Sequence, residues 1–219
     1  MNTNETKQLP PSAMASPSKK NFARNKTREL TLTAMMGSII LIMSLTPLGY
    51  LRTFGLEISL ITIPVAIGAM LLGKKAGLIL GTLFGLTSFY QCFGASPFGT
   101  MLFGISPVGS FLMRVPTRAL MGFLTGLIFE VLYKKMNGSA RTYFLTGAMA
   151  ALLNTILFMA VFVLFFFQTP EVAQINEGFG NLNVLGFIFA FVGINGLLEV
   201  PATSIIGGTV SRAIAKALR

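Results

Sequence analysis

The stretch ITIPVAIGAMLLGKKAGLILGTLFGLTS, residues 61–88, holds two apolar runs joined by Gly73, Lys74 and Lys75. Its centre, GAMLLGKKAG (68–77), nearly spells the G-x-x-x-x-G-K-[ST] loop that cradles a nucleotide's phosphates. The match fails at its last letter, because Lys75 stands where a Ser or Thr must hold magnesium. The residues from Ala69 to Leu72 are apolar, and the chain contains no Asp to act as the distal metal ligand. A true phosphate loop also joins a strand to a helix on a soluble sheet. Lys74 and Lys75 instead mark a tight basic turn between two membrane-spanning helices, and the fold class follows from that reading.

Composition points the same way. Of 219 residues, 53% are hydrophobic and only 11% charged, with 20 Phe and no His or Trp. Such a chain reads as an integral membrane protein. Its net charge of +10 would suit a nucleic-acid partner, but the basic residues cluster between apolar runs and in the first 28 positions, which is how orientation in a membrane is set. No nucleic-acid partner is expected. Cys92 is the only cysteine, so an intrachain disulfide is excluded, and without His no zinc or haem site is expected. Cys92 reads as a buried apolar thiol. No catalytic residue, cofactor or metal is expected.

The fold class is an all-α membrane protein, a compact bundle of six transmembrane helices. Residues 1–28 are too polar to fold alone and read as a disordered basic cytoplasmic tail, not a cleaved leader. Residues 29–215 form the bundle and 216–219 a cytoplasmic C-terminus. The six apolar segments run from about 30–50, 57–73, 76–93, 114–133, 142–167 and 184–211. With both termini cytoplasmic, all but Arg52, Arg114 and Arg118 of the 17 basic residues fall on the inner face. Tyr50, Tyr90, Tyr133 and Tyr143 all fall at expected span ends, where amphipathic rings meet the headgroups. Residues 96–111, broken by Pro97 and Pro107, read as an outer loop folded over the bundle, with a surface helix as the alternative; 168–183 read as a second outer loop. Gly77, Gly81 and Gly85 recur every fourth residue, as do Gly122 and Gly126. Small residues on one helix face let neighbouring backbones approach, so these glycines read as packing positions in preference to ligand contacts.

The chain resembles the substrate-binding, or S, components of bacterial energy-coupling-factor (ECF) vitamin transporters. The resemblance covers roughly residues 29–215. It rests on six apolar segments in under 200 residues, the basic N-terminal stretch, the 61–88 run, the loop SPFGTMLFGISP, and Pro116 with Arg118 opening the fourth span. Among subfamilies it is most like the pantothenate type. The resemblance implies a bundle in the bacterial cell membrane that captures a vitamin and has no motor, ATP hydrolysis being left to a partner module of two ATPases and a membrane coupling subunit. It further implies docking to that subunit through a small-residue A-x-x-x-A face on the first span, where this chain has Ala34 and Ser38 with Thr33 and Gly37 alongside.

Several polar residues stand out as a binding set. Glu199 lies within the sixth apolar segment, where a charge costs roughly 2.5 to 3.5 kcal/mol, so it should face the interior. Asn195, four residues earlier, shares its helical face, and Asn154 adds an amide from the fifth span. The alternative is that Glu199 pairs with a basic residue while the asparagines bridge helices. Arg114 and Arg118, one turn apart, suit an anionic ligand because a guanidinium matches a carboxylate with two hydrogen bonds. Arg52 approaches from the first outer loop; snorkelling to headgroups is the alternative for it and for Arg114. Ser88, Tyr90 and Gln91 end the third span and offer hydrogen bonds. Glu130 is expected to pair with Lys134 at i, i+4. Pantothenate, with one carboxylate, two hydroxyls and an amide, suits such a set. Folate, riboflavin or a queuosine precursor remain alternatives, as does a non-transport membrane assembly protein. An intramembrane enzyme lacks a nucleophile and base pair here.

Overall fold

The computed structural model describes residues 19–46, 49–53 and 56–217, without the side chains of 19–25, 51–58 and 191–195. The chain runs through α1 (Lys19–Leu45), a hairpin of β1 (Tyr50–Thr53) and β2 (Leu56–Ser59), α2 (Thr62–Leu72), α3 (Lys74–Tyr90), α4 (Pro97–Ile105), α5 (Pro107–Lys135), α6 (Ala140–Phe166), α7 (Pro170–Gly178), α8 (Val184–Ala202), a π turn (Thr203–Gly207) and α9 (Gly208–Ala217). Among the described residues, three helices are long and apolar enough to cross a membrane by length and composition: the 26–45 part of α1, α5 and α6. At 1.5 Å per residue, the 27 residues of α6 reach about 40 Å.

Helix α2 is short and sits inside. Every residue from Thr62 to Met70 is buried, and its neighbours are α1, α3, α5, α6, the π turn and α9. It ends at Gly73, whose φ of 87° is cheap only for glycine and lets α3 begin at once with Lys74. The basic turn read at this point is therefore a helix-to-helix corner. Lys74 also supplies an ion pair: its Nζ lies 3.1 Å from Glu130 Oε2 on α5. The expected Glu130–Lys134 pair is thus replaced by a contact 56 residues apart in sequence.

The glycine stripe lies at the α3–α5 crossing. A Cβ at Gly81 would overlap the Arg118 carbonyl oxygen, one at Gly77 that of Gly122, and one at Gly85 would come within 2.7 Å of Val115 Cα. Gly122 and Gly126 answer from α5, against Gly77 and against Lys74 Cα at 2.5 Å. Lacking side chains, the two helices meet backbone to backbone. Apolar clusters fill the bundle on either side, one around Ile40, Val65, Leu80, Phe84 and Met121, another around Leu102, Met113, Phe162, Phe166 and Phe187.

Several expectations need correction. The helical fold class holds, but a short hairpin between α1 and α2 went unread; it pairs Tyr50 with Ser59 and Thr53 with Leu56, so the second apolar segment, expected from 57, becomes helical only at Thr62. Residues 96–111, expected as a loop, are mostly helical. Ser96 and Ser106 each cap a helix by accepting from the amides of Gly99 (3.0 Å) and Gly109 (3.1 Å), with Pro97 and Pro107 in the first turn. Proline is favoured there because its missing N–H has no partner to lose. Helix α5 consequently begins at Pro107, not 114, and Pro116 lies inside it. The second outer loop contains α7. The sixth segment carries Pro201 and then the π turn, since proline removes a ladder bond and the next turn widens. Tyr50 and Tyr143, expected at the headgroup level, are buried, and Tyr143 packs on Phe129 at 5.1 Å between ring centroids. Helix α1 begins at Lys19, within the stretch read as tail; residues 1–18 and 218–219 lie outside the described residues.

Candidate functional site

Close approach of α3 and α5 decides where the two arginines go. Ser88 lies three residues beyond Gly85 on α3, and Arg114 Nη1 on α5 donates to its carbonyl (3.1 Å) and its hydroxyl (2.9 Å). Helix α4 covers the same guanidinium: a Cβ at Gly99 would stand 2.8 Å from Arg114 Nη2. One turn further, Arg118 Nη1 donates to the Arg114 carbonyl at 3.3 Å. The Arg118 guanidinium lies over the Phe84 ring, 4.5 Å from its centroid, and 5.9 Å from that of Phe158. Cation–π contacts of this kind contribute about 0.5 to 2 kcal/mol and satisfy no N–H.

Both arginines are buried, at 3% and 6% exposure, and the Nε atoms of both lack hydrogen-bond partners. Among the described residues no ion pair joins either to a carboxylate. The structure thus sets two desolvated cations close together with no carboxylate in direct contact, Glu199 acting on Arg118 only through space, an arrangement that protein interiors tolerate only when something repays the desolvation.

Glu199 is 4% exposed on α8. Its Oε1 accepts two hydrogen bonds, from Thr62 Oγ1 at 2.7 Å and from Asn154 Nδ2 at 3.0 Å. Three elements meet there: the first residue of α2, the middle of α6, and α8 one turn before the π turn. The amide of Asn154 therefore bridges helices, as one reading of it held, and among the described residues no basic group is in ion-pair contact with Glu199, although Arg118 is near enough to attract it through space. Thr62 was missed by sequence reasoning. Its signal was faint, a hydroxyl just ahead of Pro64 in an otherwise apolar run.

The remaining candidates separate. Gln91 is buried, and its Nε2 donates to the Ser44 carbonyl at 2.9 Å, tying the end of α1 to the end of α3. Ser44 reinforces that tie by donating to Thr87 Oγ1 at 2.9 Å. Tyr90 is 66% exposed and does not join the buried group. The side chains of Arg52 and Asn195 lie outside the described residues; Arg52 sits opposite Glu57 in the hairpin register. On α1, Ala34 and Ser38 are exposed, Ser38 Oγ donating to the Ala34 carbonyl at 3.0 Å. Thr33 Oγ1 donates to the Glu29 carbonyl at 2.8 Å. Gly37 is buried and turned inward, where a Cβ would stand 3.3 Å from Leu83 Cδ2 on α3. The four docking candidates therefore do not share one outward face. Cys92 is buried, as read.

Residues 28–209 match the family described as "ECF transporter, substrate-specific component". A protein of Leuconostoc mesenteroides named pantothenate transporter PanT is 31% identical over 188 residues, covering 82% of this chain and 88% of the relative. A pantothenic acid transporter PanT of Lactococcus lactis is 26% identical over 207 residues, covering 89% and 97%.

Proposed function

The chain belongs to the family of ECF transporter substrate-specific components, and from that premise we propose that it captures pantothenate between the buried arginines of α5 and the Glu199 cluster. It is a multi-pass cell-membrane protein that binds a vitamin for import. One observation carries the site assignment: among the described residues, Arg114 and Arg118 are buried with no carboxylate in ion-pair contact. A ligand carboxylate seated on Arg118 supplies the direct ion pair that Glu199 does not make and occupies its fork with two hydrogen bonds. Glu199, Asn154 and Thr62 then offer acceptor and donor groups to the hydroxyls and the amide. The names of the two relatives support pantothenate in preference to folate, riboflavin or a queuosine precursor.

In this reading α1, α2, α3, α5, α6 and the α8–α9 run are the six spans, both termini are cytoplasmic, and the arginine-rich mouth faces outward. The protein works as a non-enzymatic subunit. ATP hydrolysis belongs to two partner ATPases, reached through a membrane coupling subunit that docks near Ala34 and Ser38. Calorimetric titration of the purified protein with pantothenate, riboflavin and folate tests the assignment. Saturable binding of pantothenate alone is expected, and binding of another of the three in its place would overturn it.

A further inference from the structure

The base of the hairpin buries two hydroxyls that the site as described so far does not use. Leu60 N–H donates to the Gly49 carbonyl at 2.9 Å, so the next pair in the register, Tyr50 with Ser59, is a non-hydrogen-bonded one. Paired residues point to the same face of a hairpin, and in a pair of this kind their side chains stand closest. Both residues are more than nine-tenths buried. Tyr50 shares an apolar cluster with Phe84, the ring on which the Arg118 guanidinium rests, and lies within electrostatic reach of that guanidinium. Ser59 belongs to the other half of the site. Its carbonyl accepts from Thr62 Oγ1 at 3.4 Å, the hydroxyl that holds Glu199, and β2 packs against α8, which carries Glu199.

One cross-strand pair therefore links the arginine half of the site to the Glu199 half. Among the described residues Ser59 Oγ has no hydrogen-bond partner. Leaving a buried hydroxyl unpaired is costly, so folding alone gives no reason for a serine where alanine would fit. Tyr50 likewise carries a phenol where phenylalanine would fill the same apolar cluster. We propose that both residues belong to the vitamin site, Tyr50 donating its hydroxyl proton to the ligand carboxylate seated on Arg118 and Ser59 bonding a ligand hydroxyl or amide on the Glu199 side. A carboxylate keeps lone pairs beyond the two that an arginine fork occupies, and a phenol beside the fork can bond one of them. The pair thereby selects a class of ligand, an acid that also carries hydroxyls, with both of its ends read from one hairpin. This assignment rests on the pantothenate reading given above.

The chain has no Trp and four Tyr, so a near-ultraviolet difference spectrum above the phenylalanine bands, recorded as pantothenate is added to the purified protein, reads tyrosine alone. The wild type should show a ligand-induced tyrosine band. Tyr50→Phe should abolish that band and weaken pantothenate binding by about tenfold, the effect of one hydrogen bond to a charged group. Tyr143→Phe should keep both, since Tyr143 packs against Phe129 and Tyr133 about three turns before Asn154 on α6. Ser59→Ala should weaken binding about threefold to tenfold without lowering the thermal midpoint, because it removes an atom that has no partner in the protein. Should Tyr50→Phe not fold, Ser59→Ala alone decides the matter. A tyrosine band that persists in Tyr50→Phe, or wild-type affinity in Ser59→Ala, overturns the proposal, as does weaker binding accompanied in each variant by a lower midpoint, which would make the pair packing only. If the variants bind pantothenate as the wild type does, this assignment falls by itself; if the wild type binds none, the vitamin reading fails and takes the assignment with it.

Discussion

Lys74 and Arg118 each place one positive charge on a helix of the same bundle, in opposite circumstances. Lys74 is 39% exposed and meets the 41% exposed Glu130 at 3.1 Å. Arg118 is 6% exposed and rests on a carbonyl and an aromatic face. A pair in the first situation contributes about 0 to 1 kcal/mol, because water already solvates both ions. A cation in the second has given up its solvation without a carboxylate in direct contact, and desolvation of that kind costs several kcal/mol, which attraction to Glu199 through space offsets only in part. Stability alone does not select such a residue. On the proposed reading binding does, since the ligand would then find a desolvated partner already oriented.

The comparison breaks first at Arg118. Arg118→Ala should weaken pantothenate binding by about 3 kcal/mol or more, over 100-fold, as for truncation of one partner of a buried charge pair. Calorimetric titration reads this, and unchanged affinity would mean that the buried cation is structural. Arg118→Lys should recover only part, because an ammonium lacks the planar fork. Next in size is Gly81→Val, whose branched side chain would meet the Arg118 carbonyl and push α3 off α5; overpacking of this kind costs about 1 to 3 kcal/mol. A lower thermal midpoint together with weaker binding is expected, since the same crossing orients both arginines. Thr62→Val removes one donor from Glu199 at nearly constant shape and should cost about 1 to 1.5 kcal/mol, roughly tenfold in affinity. The smallest effect belongs to the exposed pair: Lys74→Ala should change stability by less than about 1 kcal/mol and leave binding as it was. A large effect there, with a small one at Arg118, would reverse the contrast.

Legibility in the sequence followed the range of the interactions involved. Glycines at four-residue spacing announced a close crossing, because helical periodicity is local and bare backbone in an apolar segment has few other uses. Glu199, Asn154 and Arg118 stood out because polar groups there are costly wherever they point. What those groups touch was not legible. Glu199 meets Thr62 across 137 positions and Asn154 across 45, and Lys74 took Glu130 away from its near neighbour Lys134 because the Gly73 corner brings the start of α3 beside α5. Residues 96–111 misled for a different reason. Their prolines read as interruptions, yet Ser-Pro-x-Gly begins a helix twice there, at Ser96 and Ser106. The hairpin gave no warning, since its strands are only four residues each and sit between apolar runs.

Helix α2 has no slack. It is 11 residues long, begins at the residue that holds Glu199, and is held from its second turn onward by neighbours on every side. Removing or adding a single residue before that turn would swing Thr62 by about 100° around the axis and carry its hydroxyl away from the carboxylate. Surface helices absorb such changes by sliding in lipid; α2 has no lipid to slide in. Length variation among natural relatives of this chain should therefore collect in the loops and spare the interval from Ser59 to Lys74.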